Sequence, residues 1–198
     1  MKLKSGLLVL LFLPIFAFES VILLDDFEGE ISKKTVDYGV GNGTEIQVSA
    51  SEEIKHNGKQ SIKVEYSCVP SGYMWVARGY NLDVKEAAKW LKPPEKIRWK
   101  KYKALSFYYY GEGKDVAIAF DIKDAKKEIW RYMFNDDTEG WTEVVCDFGK
   151  FFARSDWQPS DAVADGRLDF PIMSFQWEVR TPAKGVIYFD KVEVKAKP

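Results

Sequence analysis

The 198-residue chain contains one histidine and two cysteines, and neither type is spaced for chemistry. His56 lies in the turn His56-Asn57-Gly58-Lys59. A Ser-His-Asp or Cys-His mechanism would have to use that imidazole, and a tight turn is a poor place to hold a catalytic base rigidly. No C-x-x-C or Cys/His spacing suggests zinc. Cys68 and Cys146 each fall on the apolar side of an alternating segment, which suits a disulfide or two buried thiols equally. An excess of positive charge is also missing. With 29 basic residues against 30 acidic the net charge is −1, which excludes an electrostatic nucleic-acid binder. There is no internal repeat, low-complexity tract or linker, so the length corresponds to one domain. The glycine run Gly39-Val40-Gly41-Asn42-Gly43 lacks the strand-to-helix setting of a phosphate loop.

Long apolar stretches are confined to Leu7–Phe18, twelve residues interrupted by Pro14. A membrane-spanning helix needs about 20. Lys2 and Lys4 before the run and Ala17 near its end give it the layout of a secretory signal peptide. The expected organisation is a signal segment over 1–17 and one domain over 18–198, periplasmic or secreted, with no membrane span after cleavage. The processed chain would carry 27 basic and 30 acidic residues.

What the sequence has in abundance is rings. Thirteen Phe, ten Tyr and seven Trp make 15% of the chain, more than one core of this size requires, so some should lie on a surface. Period-two alternation predicts strands at Ser61–Ser67, Tyr73–Leu82, Leu105–Tyr110, Val116–Lys123, Glu128–Phe134, Thr142–Phe148, Ile172–Val179 and Val186–Val194. Turn residues separate them. Asp83–Leu91 reads otherwise, and a second, weaker turn is expected at Ser160–Ala164. Val84, Ala87, Ala88 and Leu91 have helical spacing, and Pro93-Pro94 ends the segment. The predicted class is all-β, a β-sandwich of jelly-roll type with one short helical insertion.

Several segments then resemble a known architecture in their order along the chain. They are Leu24-Asp25-Asp26-Phe27-Glu28-Gly29, His56–Val64 (HNGKQSIKV), Ala104–Gly111 (ALSFYYYG), Gly140-Trp141-Thr142-Glu143-Val144 with Phe148 and Phe152, and Gly185–Val194 (GVIYFDKVEV). Together they resemble the galactose-binding-like β-sandwich, in particular carbohydrate-binding modules of family 11 and the complex I intermediate-associated domain. Lys191 stands where the resembling motif has a second aspartate, and Asp83–Pro94 looks like an insertion. The resemblance implies a structural calcium joining the chain ends. Asp26, Glu28 and Asp190 would be its carboxylate ligands, with backbone carbonyls near Lys59 and Ser61.

For the ligand face, alternation puts Leu105, Phe107 and Tyr109, with Val116, Ile118, Phe120 and Ile122, inside the sandwich. Small Ala117 and Ala119 then predict a groove across the outer face, surrounded by Tyr108, Tyr110, Asp121, Gln176, Glu178 and Arg180. The strand Glu128–Phe134 adds either Trp130 and Tyr132 or Arg131, a choice alternation leaves open. Rings that stack on pyranose faces and planar groups that reach paired hydroxyls suit a polysaccharide or oligosaccharide. No carboxylate pair is marked for catalysis, so the expected protein is a binding module and not an enzyme. The alternative is an exported scaffold or adaptor taking a protein partner through an apolar patch around Trp90 and Leu91.

Overall fold

The computed structural model describes residues Glu19–Lys197, and the expected signal segment over 1–17 lies outside the described residues. Among the described residues twelve strands form two antiparallel sheets. The first sheet runs β3 (Glu45–Ser51), β4 (Ser61–Ser67), β12 (Lys184–Lys195), β6 (Ala104–Glu112), β9 (Glu139–Asp147), with β1 (Val21–Asp25) also on β12. The second runs β10 (Phe152–Ala153), β8 (Ile129–Asp136), β7 (Val116–Lys123), β11 (Ser174–Val179), β5 (Tyr73–Gly79), β2 (Asp37–Gly41). The all-β sandwich expected from the alternation is what the chain forms.

Its core is aromatic because the central strands of both sheets turn rings inward. Leu105, Phe107 and Tyr109 of β6 and Ile187 and Phe189 of β12 face Ile118, Phe120 and Ile122 of β7 and Phe175 and Trp177 of β11. The Trp177 ring lies flat on Phe189, 4.1 Å between centroids, and Phe107 meets Phe120 at 4.6 Å. Each such ring buries roughly 150–250 Å². Cys68 and Cys146 are buried separate thiols, not a disulfide. Burial raises both pKa values, that of Cys68 to about 11.

The helical insertion condenses to one 3-10 turn, Lys85–Ala87. A first helical turn is costly unless more turns follow, and here Ala88 leaves helical geometry at ψ 65°. Packing takes over. Leu82 and Ala87 lie on Ala77 and Trp75 of β5, and the Leu91 N–H donates to the Leu24 carbonyl. Trp90 is buried flat against Phe175 at 5.8 Å. It belongs to the core, so the expected apolar patch reduces to exposed Leu91.

A different device closes the junction between the chain ends. β12 pairs with β4 through Phe189 and with β1 from Val192, and its pairing with β6 shifts register between Asp190 and Glu193. Asp190 therefore sits where one neighbour leaves and the other enters.

An arginine-carboxylate face on the second sheet

Register puts the outward side chains of the second sheet into rows. Asp37, Ala77, Gln176, Asp121 and Arg131 are successive cross-strand partners from β2 to β8. In the next row Glu178 pairs with Ala119 and Ala119 with Met133, and beyond it Ala117 pairs with Asn135. Arg131, Asp121, Gln176 and Glu178 thus converge over a floor of alanines, with Arg180 beside them. Arg131 is the outward residue of its strand.

The other expected residues go elsewhere. Trp130 and Tyr132 pair with Ile122 and Phe120 and point inward. Trp130 is buried and donates its indole N–H to Asp124 at 3.2 Å, and Tyr132 packs on Phe151. Tyr108 and Tyr110 are outward as expected, but on the first sheet, where they pair with Asp190 and Tyr188 of β12. Tyr108 stacks on His56 at 3.6 Å, and Tyr110 meets Trp141 and Tyr188 edge-on. The single groove expected from the sequence is therefore split over two opposite faces.

Three arginines and three carboxylates interlock on the second sheet. Arg131 grips Asp121 with two parallel bonds, 2.7 and 2.8 Å, and reaches Glu178. Arg154, from the loop after β10, spans Asp121 at 3.3 Å and Glu178 at 3.4 Å while its Nε donates to Asp156 at 2.7 Å. Arg180 joins Glu178 to Asp156, and the Gln176 amide donates to Asp121 at 3.2 Å. Burial alone would lower the Arg131 pKa. The hydrogen bonds and charges of Asp121, Glu178 and Asp156 outweigh it and raise the pKa above its usual value. Hydrogen bonding to Arg154 holds the Asp156 carboxyl below its usual range.

Exposure is graded across this network. The Asp121 and Glu178 side chains are 1% and 3% exposed, those of Arg180 and Asp156 35% and 44%. Trp157 is 55% exposed, with the Arg154 guanidinium 5.7 Å from its ring centre. Across the sheet, Tyr73 and Trp75 stack at 6.3 Å over β2. Gly39 and Gly41 make that possible, since a Cβ at either would come within 2.5 and 2.2 Å of those rings. Arg154, Asp156, Trp157, Tyr73 and Trp75 escaped the sequence reading. The Tyr73-Met74-Trp75 alternation opposite the glycine pair was the available signal for two of them.

A profile of the carbohydrate binding domain (family 11) matches residues 14–197. The chain belongs to that family. Among solved structures, the family 11 module from Clostridium thermocellum in complex with a beta-1,3-1,4-mixed-linked tetrasaccharide is 19% identical. It matches with a TM-score of 0.66, over 90% of this chain and 97% of that one. The solution structure of CtCBM11 is 20% identical, with a TM-score of 0.68 over 91% and 98% of the two chains. A beta-1,2-glucanase from Parabacteroides distasonis is 13% identical, with a TM-score of 0.53 over 90% of this chain and 25% of that one. No curated protein matches.

The family 11 fold brings two of the three expected metal ligands to one turn. Asp190 accepts the His56 and Asn57 N–H groups, each at 2.9 Å, and Glu28 accepts those of Lys59 and Gln60. Gly58, at φ +64°, lies between, where a Cβ would come within 2.1 Å of Glu28. Asp26 instead accepts the Glu28 N–H. Among the described residues no group of three or more His, Cys, Asp or Glu could hold a metal. Asp190 Oδ1 is nevertheless buried with no hydrogen-bond partner among the described residues. Burial first, and then the Glu28 charge among smaller contributions, raises the Asp190 carboxyl to about 6. An orphaned hard oxygen beside a second carboxylate fits a calcium ion completed by backbone carbonyls.

Proposed function

We propose that this family 11 domain binds a polysaccharide or oligosaccharide on the outer face of its second sheet and performs no chemistry on it. The supporting observation is the graded network. Buried Asp121 and Glu178 fix three guanidinium planes, and the network ends in exposed Arg180, Asp156 and Trp157. A pyranose stacks its C–H face on Trp157, held in place by Arg154. Its hydroxyls meet the Arg180 fork, the Asp156 carboxylate and the Gln176 amide. Little side-chain freedom is lost because the network is already assembled. Three strand spacings, about 14 Å, separate β8 from β5 with its Tyr73–Trp75 pair, so the face accepts more than one sugar ring. The exposed carboxylate argues against hydrolysis. Asp156 is held in its ionised form by Arg154, the wrong direction for a general acid.

In this reading the protein is exported through residues 1–17, and calcium held by Glu28 and Asp190 ties the first strand to the last. The ion supplies positive charge to buried Asp190 and half-buried Glu28 and no reactivity. Electrophoresis of the purified protein through gels containing β-glucans, xylan, mannan or pectin tests the binding. Retardation in at least one gel that is lost in Trp157→Ala is expected, and retardation unaffected by that change would move the site elsewhere. For the metal, calcium should raise the melting temperature and a chelator reverse it. Equal melting with and without calcium would remove the ion from the scheme.

A further inference from the structure

One end of the sandwich carries a separate concentration of charge. From Lys96 to Lys103 (KIRWKKYK) five of eight residues are cationic and none is acidic, in a chain whose net charge is −1. The alternation is structural. Ile97, Trp99 and Tyr102 are buried, so Lys96, Arg98, Lys100, Lys101 and Lys103 are all driven to the surface. Lys96, Arg98, Lys100 and Lys103 make no ion pair among the described residues. The arginines of the outer-face network are all paired.

Two of these cations, Arg98 and Lys100, line a groove of about 550 Å³ whose floor is Trp99, Phe170 and Pro171, with Lys101 and one acid, Glu95, also on its walls. The Trp99 indole N–H donates to the Pro94 carbonyl at 2.9 Å, which fixes the ring. Phe170 stacks on it at 5.7 Å and remains 38% exposed. Phe148 braces Phe170 edge-on at 5.2 Å. A flat apolar floor between unpaired cations therefore lies outside the outer-face network and shares none of its residues.

We infer that this groove is a second glycan site, for a polysaccharide bearing carboxylate or sulfate groups. Charge complementarity selects an anionic partner, since Arg98, Lys100 and Lys101 on the groove wall outnumber Glu95 there, and Lys96 and Lys103 add positive charge to the same segment. The floor selects rings. A sugar laid on Phe170 places its acidic substituents toward Arg98 and Lys100. The concavity argues against a lipid surface, because a flat bilayer would meet the lysine tips and leave the ring floor empty.

The test is calorimetric titration of the purified protein with polygalacturonate and with dextran sulfate, at low salt and at about 1 M, where the screening length is about 3 Å. At least one of the two should bind at low salt and weaken tenfold or more at high salt. Arg98→Glu with Lys100→Glu should abolish that binding. Both residues are exposed, so thermal unfolding should be unchanged. Phe170→Ala should weaken polysaccharide binding while leaving any weak binding of polyglutamate as it was. The inference is overturned if neither polysaccharide binds, if polyglutamate binds as tightly, if charge reversal has no effect, or if phosphatidylglycerol vesicles bind and the polysaccharides do not. A neutral β-glucan titrated in parallel reports the outer face. Its retention in the charge-reversed protein separates failure of this site from failure of the other.

Discussion

Two buried arginine-carboxylate assemblies serve opposite ends in this molecule. Asp25 and Arg78 meet between the sheets, joined by two 3.0 Å bonds, with side chains 1% and 2% exposed. The Phe27 N–H donates to the same carboxylate, and the Phe27 ring lies 5.4 Å from the guanidinium. That pair has no route to solvent, so it ties β1 to β5 and does nothing else. The Asp121–Arg131 pair has the same two-bonded geometry, but Glu178, Arg154, Arg180 and Asp156 continue it outward to the surface. In the proposed reading an ion pair becomes a recognition surface when its partners form a gradient of exposure. A closed pair only fixes the fold.

Breaking the closed pair should cost most. Arg78→Met leaves Asp25 buried and unpaired, a loss of about 3–5 kcal/mol at pH 7, read as a fall in the urea midpoint. The loss should shrink at pH 5. Burial already outweighs Arg78 and lifts the Asp25 carboxyl to about 6. Without the arginine it protonates more readily still. The folded state then binds more protons than the unfolded one between about pH 4 and 6, so acidification restores stability there. A loss that is the same at both pH values would show that Asp25 is not the group left stranded.

Arg131→Met tests the open assembly and should cost less, about 1.5–3 kcal/mol, because Arg154 and Arg180 still reach Asp121 and Glu178. Its larger consequence should be on glycan retention, because Arg154 and Arg180 would re-aim inward. Stability falling without any change in retention would reduce this network to the role of the closed pair.

The sequence made the strands legible and left their assignment to sheets obscure. Alternation says which residues share one face of a strand, and it named Tyr108 and Ala119 correctly as outward. It carries no record of which sheet a strand joins, and β6 and β7 are consecutive in the chain but lie in different sheets. That single fact separated Tyr108 and Tyr110 from Asp121 and Glu178. In β8, Trp130, Arg131 and Tyr132 all combine an apolar body with a polar tip, so period alone could not orient them. Partnership with Asp121 did. β2 was missed because Asp37–Gly41 carries two glycines, residues poor in strand propensity. Those glycines are there to let Trp75 and Tyr73 lie across the strand.

Trp157→Ala narrows the comparison to the exposed end of the gradient. The ring is more than half exposed and touches the network through Arg154, so stability should move by no more than about 0.5 kcal/mol. Glycan affinity should fall about tenfold, the equivalent of ~1.4 kcal/mol. Binding that is unchanged would leave Tyr73 and Trp75 as the stacking surface.

The smallest effect is expected on the opposite face, where it discriminates most sharply. Tyr108→Ala removes the stack on His56 and the nearby Lys191 ammonium, 5.6 Å from the ring centre. An aromatic pair of this kind contributes about 0.5–1.5 kcal/mol, and solvent access to His56 and Tyr108 puts this one at the low end. Tyr108 projects from the first sheet and Arg180 and Trp157 from the side of the second, with the whole aromatic core between them. Retention of a neutral glycan should therefore be the same as in the parent protein. A drop in retention matching that of Trp157→Ala, with the melting temperature unmoved, would mean that the His56–Tyr108–Trp141 cluster contacts sugar too, and the graded network would no longer account for binding alone.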